Sequence, residues 1–195
     1  IIDLQKTIVL LKEALDAVKN YSTEGKNILF IGTKRQASDL IEKYAVDCNQ
    51  YFINKRWLGG MLTNWDTIQN SIKRLKNLEE ILINKTSSYT KKELLKFEKM
   101  VEKLNKALGG IKNMNGKPDL LFIIDTNKEI LAVQEANKIG IPIVAVIDSN
   151  SNPEGIEHPI PGNDDAIRSI EYYCSSIAET IKKAQNKQDD KQVKN

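Results

Sequence analysis

Ten residues from Arg56 to Trp65, reading RWLGGMLTNW, put both tryptophans, adjacent glycines, an arginine and an asparagine directly before a long helical pattern. Gly59 and Gly60 permit positive φ and close approach of another backbone. Trp57 and Trp65 bring large amphipathic surfaces, and Arg56 offers a fixed fork of donors suited to phosphate. Other loop positions are basic as well: Lys34 and Arg35, Lys55 beside Arg56, and Lys112 and Lys117 after Gly109-Gly110. Loop cations can meet phosphates without first giving up a helix partner. Contact of that kind with structured RNA reads shape, through phosphates and 2′-hydroxyls. Asn64 joins these residues as a candidate contact. Trp57 either stacks on an exposed base or packs, whereas Trp65, at the start of the next helix, is read as packing.

Catalytic chemistry has less to stand on. Asp125 and Asp148 each follow an apolar run of strand type, the place where α/β enzymes put their sites. In a parallel sheet both carboxylates would lie at one edge, near Ser149 to Pro153, as a paired acid or a magnesium site. The competing role is that they end strands and cap turns, as Asp routinely does. Gly32-Thr33-Lys34 shares part of a phosphate loop but lacks the GxxxxGK spacing that cradles phosphates. His158, the single histidine, lies between Glu157 and Pro159 with no Ser or Cys motif nearby. Cys48 and Cys174 are far apart without a CxxC pair, as expected of free thiols, and with His158 they make a poor zinc set. Asp164-Asp165 sits where a helix begins, so a capping role is preferred to a catalytic pair.

These residues need a scaffold, and the apolar pattern supplies one. Asp3 caps a helix with Leu4, Ile8, Leu11, Leu15 and Val18 at helical spacing, ended by Gly25. Ile28 to Ile31 and Tyr51 to Ile53 have strand length, with a helix over Lys34 to Val46 between them. Leu120 to Ile124 and Ile141 to Ile147 are continuous apolar runs without alternation, as in strands buried on both faces, and Lys128 to Ile139 is a crossover helix. The order predicts an α/β fold: a three-layer parallel sheet flanked by helices. Between the second and third strands, Ile68, Ile72, Leu75, Leu78 and Leu82 form one helical stripe. Leu94, Phe97, Val101, Leu104 and Leu108 form another, after a Thr90/Glu93 capping box. A polar link, Asn84 to Tyr89, joins them, so an inserted antiparallel helical hairpin is expected. Asn163 caps a last helix with Ile167, Ile170, Ile177 and Ile181 on its apolar face. The expected division is a body of residues 1–62 and 111–186, a hairpin arm of 63–110 and a disordered tail of 187–195.

The net charge of +3 conceals a segregation along the chain. Residues 84–117 carry nine bases against three acids, and residues 118–181 three against eleven. A chain that presents one face to a polyanion would distribute charge this way. No apolar run approaches the roughly 20 residues a membrane helix needs, so no membrane partner is expected.

The string RWLGGMLTNW resembles the signature of the bacterial-type small-subunit ribosomal protein number two family. IIDLQKT at Ile1 to Thr7 resembles its opening helix, and ILFIGTKRQA at Ile28 to Ala37 its first strand and turn. Leu108 to Glu129 is similar to its return into the sheet, and Ile141 to Ile170 to its last strands and final helix. The family pattern also has an upstream His-Phe-Gly-His run and a Trp-Asn-Pro turn, which are not in this sequence. The resemblance implies a structural constituent of the small subunit, in a bacterial cytoplasm or an organelle, with a coiled-coil arm and no cofactor. It implies binding to small-subunit ribosomal RNA and to neighbouring ribosomal proteins, protein number one among them. A free-standing RNA-binding module and an enzyme built on Asp125 and Asp148 are the alternatives.

Overall fold

The computed structural model describes residues 2–84 and 89–192, with side chains described through residue 186. Five strands, β1 (Ile28–Ile31), β2 (Tyr51–Ile53), β3 (Leu120–Ile124), β4 (Ile143–Ile147) and β5 (His158–Pro161), form one sheet in the order β2-β1-β3-β4-β5. Every pairing is parallel. β1, β3 and β4 are buried along their whole length, which is why their sequences run apolar without alternation. Alternate residues still divide between two cores. Ile28, Phe30, Leu120, Phe122, Val144 and Val146 face one, where Phe30 and Phe122 meet edge to face with centroids 5.3 Å apart. Leu29, Ile31, Leu121, Ile123, Ile143 and Ala145 face the other.

Helices α1 (Leu4–Thr23), α2 (Arg35–Asp47) and α6 (Ile167–Gln192) cover the first face. α5 (Ile130–Ile139) and the beginning of α3 (Trp65–Asn84) cover the second. The chain therefore leaves β1 toward one layer and β3 toward the other, and the loops after these neighbouring strands diverge. α4 (Lys91–Leu108), opened by the Thr90/Glu93 capping box, packs against α3 and leads through a single 3-10 turn, Gly109–Ile111, into β3. Ile68, Ile72, Leu75 and Leu78 are buried, as their spacing predicts, whereas of α4 only Leu108 is fully buried. The link between these helices falls partly on 85–88, outside the described residues.

Three elements differ from expectation. α1 begins at the Asp3 cap, whose side chain accepts from the Gln5 N–H at 3.0 Å, but its buried face is Thr7, Leu11, Ala14, Val18 and Ser22. Leu4 and Ile8 point outward, 68% and 69% exposed. Thr7 takes the inner position because its hydroxyl donates to the Pro161 carbonyl at 2.7 Å. β5 is the second: the apolar pattern singled out no strand at HPIP, whose two prolines an edge strand tolerates. Third, α6 runs on to Gln192, so 187–192, expected to be disordered, is helical; 193–195 lie outside the described residues. No described helix is long and apolar enough to cross a membrane.

Candidate nucleic-acid interface

With all strands parallel, the loops after β1, β2 and β3 gather at one edge of the sheet. The loop after β2 contains the Arg56–Trp65 string, and a single carboxylate organises it. Glu135 of α5 accepts from the Trp57 indole N–H (3.1 Å), from the backbone N–H groups of Gly60 (2.8 Å), Leu62 (3.0 Å) and Thr63 (3.0 Å), and from the Thr63 hydroxyl (3.0 Å). Burial works against the charged form, but the donors on Thr63, Leu62, Trp57 and Gly60 outweigh it and hold the carboxyl below the usual range. Gly60 has φ +85° and an added Cβ would press on Asn64, so this turn favours glycine. Gly59 needs no such freedom: its φ is not positive and a Cβ there would meet nothing within 4 Å. Trp57, Met61, Leu62 and Trp65 anchor the loop in the second core.

The eight candidate contacts separate into groups. Arg35, at the first turn of α2, and Lys55 and Arg56 are exposed at this edge. Lys55 Nζ donates to Ser38 Oγ at 3.2 Å, and Arg56 has no hydrogen-bond or ion-pair partner among the described residues. Asn64 is exposed, and its Oδ1 accepts from the Thr67 hydroxyl at 2.9 Å. Lys117 is exposed but precedes β3, which puts it at the opposite edge. Three residues are placed otherwise than as free contacts. Trp57 is 7% exposed with its indole N–H committed to Glu135, so most of its ring packs into the second core. Lys112 is paired with Glu79 at 3.0 Å.

Lys34 is the third. Its ammonium sits among Asp125 (3.2 Å), Asp164 (3.2 Å) and Asp165, and is only 15% exposed. Burial lowers its proton affinity, but hydrogen bonds to Asp165, Asp125 and Asp164 raise it well above that of a free lysine. The Asp164-Asp165 pair, expected to face the helix dipole, is turned to this lysine, while Asn163 Oδ1 makes the capping bonds to Asp165 N (2.8 Å) and Ala166 N (3.0 Å). Asp125, at φ 66°, accepts from Lys128 N–H at 3.1 Å; the Asp148 carboxylate accepts from Ser149 N–H at 2.6 Å while its carbonyl closes a turn with Ser151 N–H at 3.1 Å. Carboxylate oxygens of Asp148, Asp164 and Asp165 lie within 4.8 Å of one another, but the Lys34 ammonium already balances two of these groups.

Residue reading missed two groups. Lys128, at the end of the β3 loop, donates to the Thr33 carbonyl at 3.2 Å and stands at the same edge as Lys55. The rule that selected loop cations after strands would have found it. Glu135 left no local signal, because its partners are more than seventy residues away in sequence.

A profile of the family described as "Ribosomal protein S2" matches residues 1–184. The chain belongs to the ribosomal protein S2 family. It is 57% identical over 181 residues to a protein of Acidiphilium cryptum, covering 93% of this chain and 71% of that one. It is 58% identical over 182 residues to one of Paramagnetospirillum magneticum (93% and 68%) and 56% over 184 residues to one of Ehrlichia chaffeensis (94% and 64%). Each of these relatives is named "Small ribosomal subunit protein uS2". The chain thus spans about two thirds of the length of the relatives it matches. Family membership removes the enzyme reading built on Asp125 and Asp148, whose carboxylates are occupied in turns and in the Lys34 cluster.

Proposed function

We propose that this chain is a structural constituent of the small ribosomal subunit in a bacterial ribosome. It would bind small-subunit ribosomal RNA with the loops at the C-terminal edge of its sheet. The supporting observation is the loop clamped by Glu135, which presents Lys55 and Arg56 without a carboxylate partner among the described residues. A rigid loop with uncompensated cations binds RNA backbone by neutralising phosphates and releasing counterions, while its geometry sets which phosphate spacings fit. Arg35 and Asn64 extend that surface, and Lys117 provides a separate contact at the far edge. Lys34 and Lys112 act within the protein.

α3 and α4 are read as the two limbs of an antiparallel coiled-coil arm. Support comes from their matching apolar stripes and from the Glu79 carboxylate, which bridges Asn105 (3.0 Å) and Lys112 (3.0 Å) at the root of the pair. The half-buried stripe of α4 and the acidic segment after residue 118 suit neighbouring ribosomal proteins, protein number one among them. Quantitative mass spectrometry across a sucrose gradient of native lysate tests the whole reading. One copy per small subunit, stable to a moderate-salt wash, is expected. A peak in the light fractions would overturn it in favour of a free RNA-binding module.

A further inference from the structure

Lysines and arginines at this edge divide by what balances them. Lys34 has three carboxylates around it. Among the described residues Lys55, Arg56 and Lys128 form no ion pair: Lys55 and Lys128 donate to a hydroxyl and a carbonyl, and Arg56 is unpartnered. All three line one crevice of about 290 Å³, together with Thr33, Trp57, Glu129 and Leu131. Its position follows from the topology. The walls are the loops after β1, β2 and β3, where the chain turns to one layer after β1 and to the other after β3, and sheets of this kind open a ligand crevice at such a point.

The floor is Glu129, 2% exposed, whose Oε1 accepts both the N–H (2.8 Å) and the hydroxyl (2.5 Å) of Thr33. Even with that carboxyl ionised, three cations face one anion. The remaining wall is apolar, an edge of Trp57 and the half-exposed Leu131. A lining that combines cationic residues with the apolar surface of Trp57 and Leu131 matches a phosphate with an attached base. The volume is at the lower end for small-molecule pockets, about 300 Å³ upward, and so suits one nucleotide rather than a helix.

We infer that this crevice seats a single nucleotide unstacked from RNA, its phosphate held by Arg56, Lys55 and Lys128 and its base laid against Leu131 and the Trp57 edge. The inference rests on the RNA-binding reading above and adds a specific pocket to it. Bases splayed out of unpaired loops and bulges are where proteins usually gain specific hold on RNA, and an arginine fork beside lysines is suited to the phosphate.

The test uses small subunits assembled with wild-type protein, with Arg56→Ala/Lys128→Ala, and with Lys12→Ala/Lys19→Ala as an equal charge loss on α1. Ultraviolet cross-linking and mass spectrometry should place a nucleotide adduct on peptides spanning 54–58 or 127–131. The crevice variant should lose the adduct and incorporate about tenfold more weakly, from two lost phosphate contacts. The α1 variant should match wild type in both, and unchanged circular dichroism of all three proteins excludes misfolding. Wild-type protein absent from subunits would refute the ribosomal reading itself. Normal incorporation of the crevice variant, or adducts only elsewhere, would overturn the crevice assignment alone. Separately, AMP, GMP and inorganic phosphate are titrated into isolated protein with tryptophan fluorescence as readout. Saturation by a free mononucleotide, with no RNA adduct in subunits, would assign the crevice to a soluble ligand and likewise overturn the RNA occupant.

Discussion

Glu135 holds its loop by charge-assisted bonds, so its protonation state and its acceptor count both matter. Its folded carboxyl is held below the ordinary range, which means it stabilises the protein above the unfolded value of about 4.3 and loses that contribution as pH falls through the folded value. Acid should therefore loosen the loop only below the ordinary carboxylate range, seen there as a fluorescence change of Trp57 and Trp65, and Glu135→Gln should abolish that phase. Glu135→Ala should cost about 2–3 kcal/mol in urea unfolding and strip hydrogen-exchange protection from the amides of Gly60, Leu62 and Thr63. Lys34 titrates at the other end of the scale. Its raised proton affinity contributes stability that is complete below about pH 10 and lost as pH climbs through the folded value. Lys34→Met, leaving Asp125, Asp164 and Asp165 unbalanced, should cost about 2 kcal/mol at neutral pH, with the deficit shrinking in alkali. Residue types alone could not separate Lys34 from Lys55. Both are loop lysines after strands, and only the return of Asp164 and Asp165 from the far end of the chain distinguishes them.

Among the elements, glycines give the sharpest contrasts. A Cβ on Gly110 would lie 2.0 Å from the Phe52 carbonyl, backbone against backbone, because the 3-10 turn packs on the edge strand β2. Gly110→Ala should therefore destabilise by about 2–3 kcal/mol, whereas Gly59→Ala should be neutral within about 0.5 kcal/mol and Gly60→Ala should cost about 1 kcal/mol through its positive φ. Thermal denaturation of the three variants checks the order. The string itself reads Gly59 and Gly60 as equivalent; the fold makes them different. Strand runs such as Ile28–Ile31 and Leu120–Ile124 were legible because burial on both faces leaves no polar position in them. The face of α1 was not, since Thr7 and Ser22 are buried by hydrogen bonds to carbonyls rather than by apolar character.

For the whole molecule, affinity for ribosomal RNA should depend on salt through the unpaired cations only. Lys55→Ala/Arg56→Ala should reduce the slope of log affinity against log salt by about 2, and Lys34→Met should leave it unchanged. Filter binding to purified small-subunit RNA at several salt concentrations reads both. The parallel order of the sheet was foreseeable from the β-α-β pattern, but its convergence of Lys55, Arg56 and Lys128 on one crevice required the strand order, which no local pattern encodes. The sheet also ends in a particular way. In β5 the Gly162 N–H donates to the Ile147 carbonyl at 2.9 Å, and backbone groups alternate sides along a strand, so the even-numbered positions turn theirs to β4. Pro159 and Pro161 face outward and have no N–H to offer, and the Pro161 carbonyl is already taken by Thr7. That margin cannot template an added strand. A subunit protein is made apart from its RNA and has to wait for it in a crowded cell, and a border without donors keeps waiting copies from polymerising edge to edge.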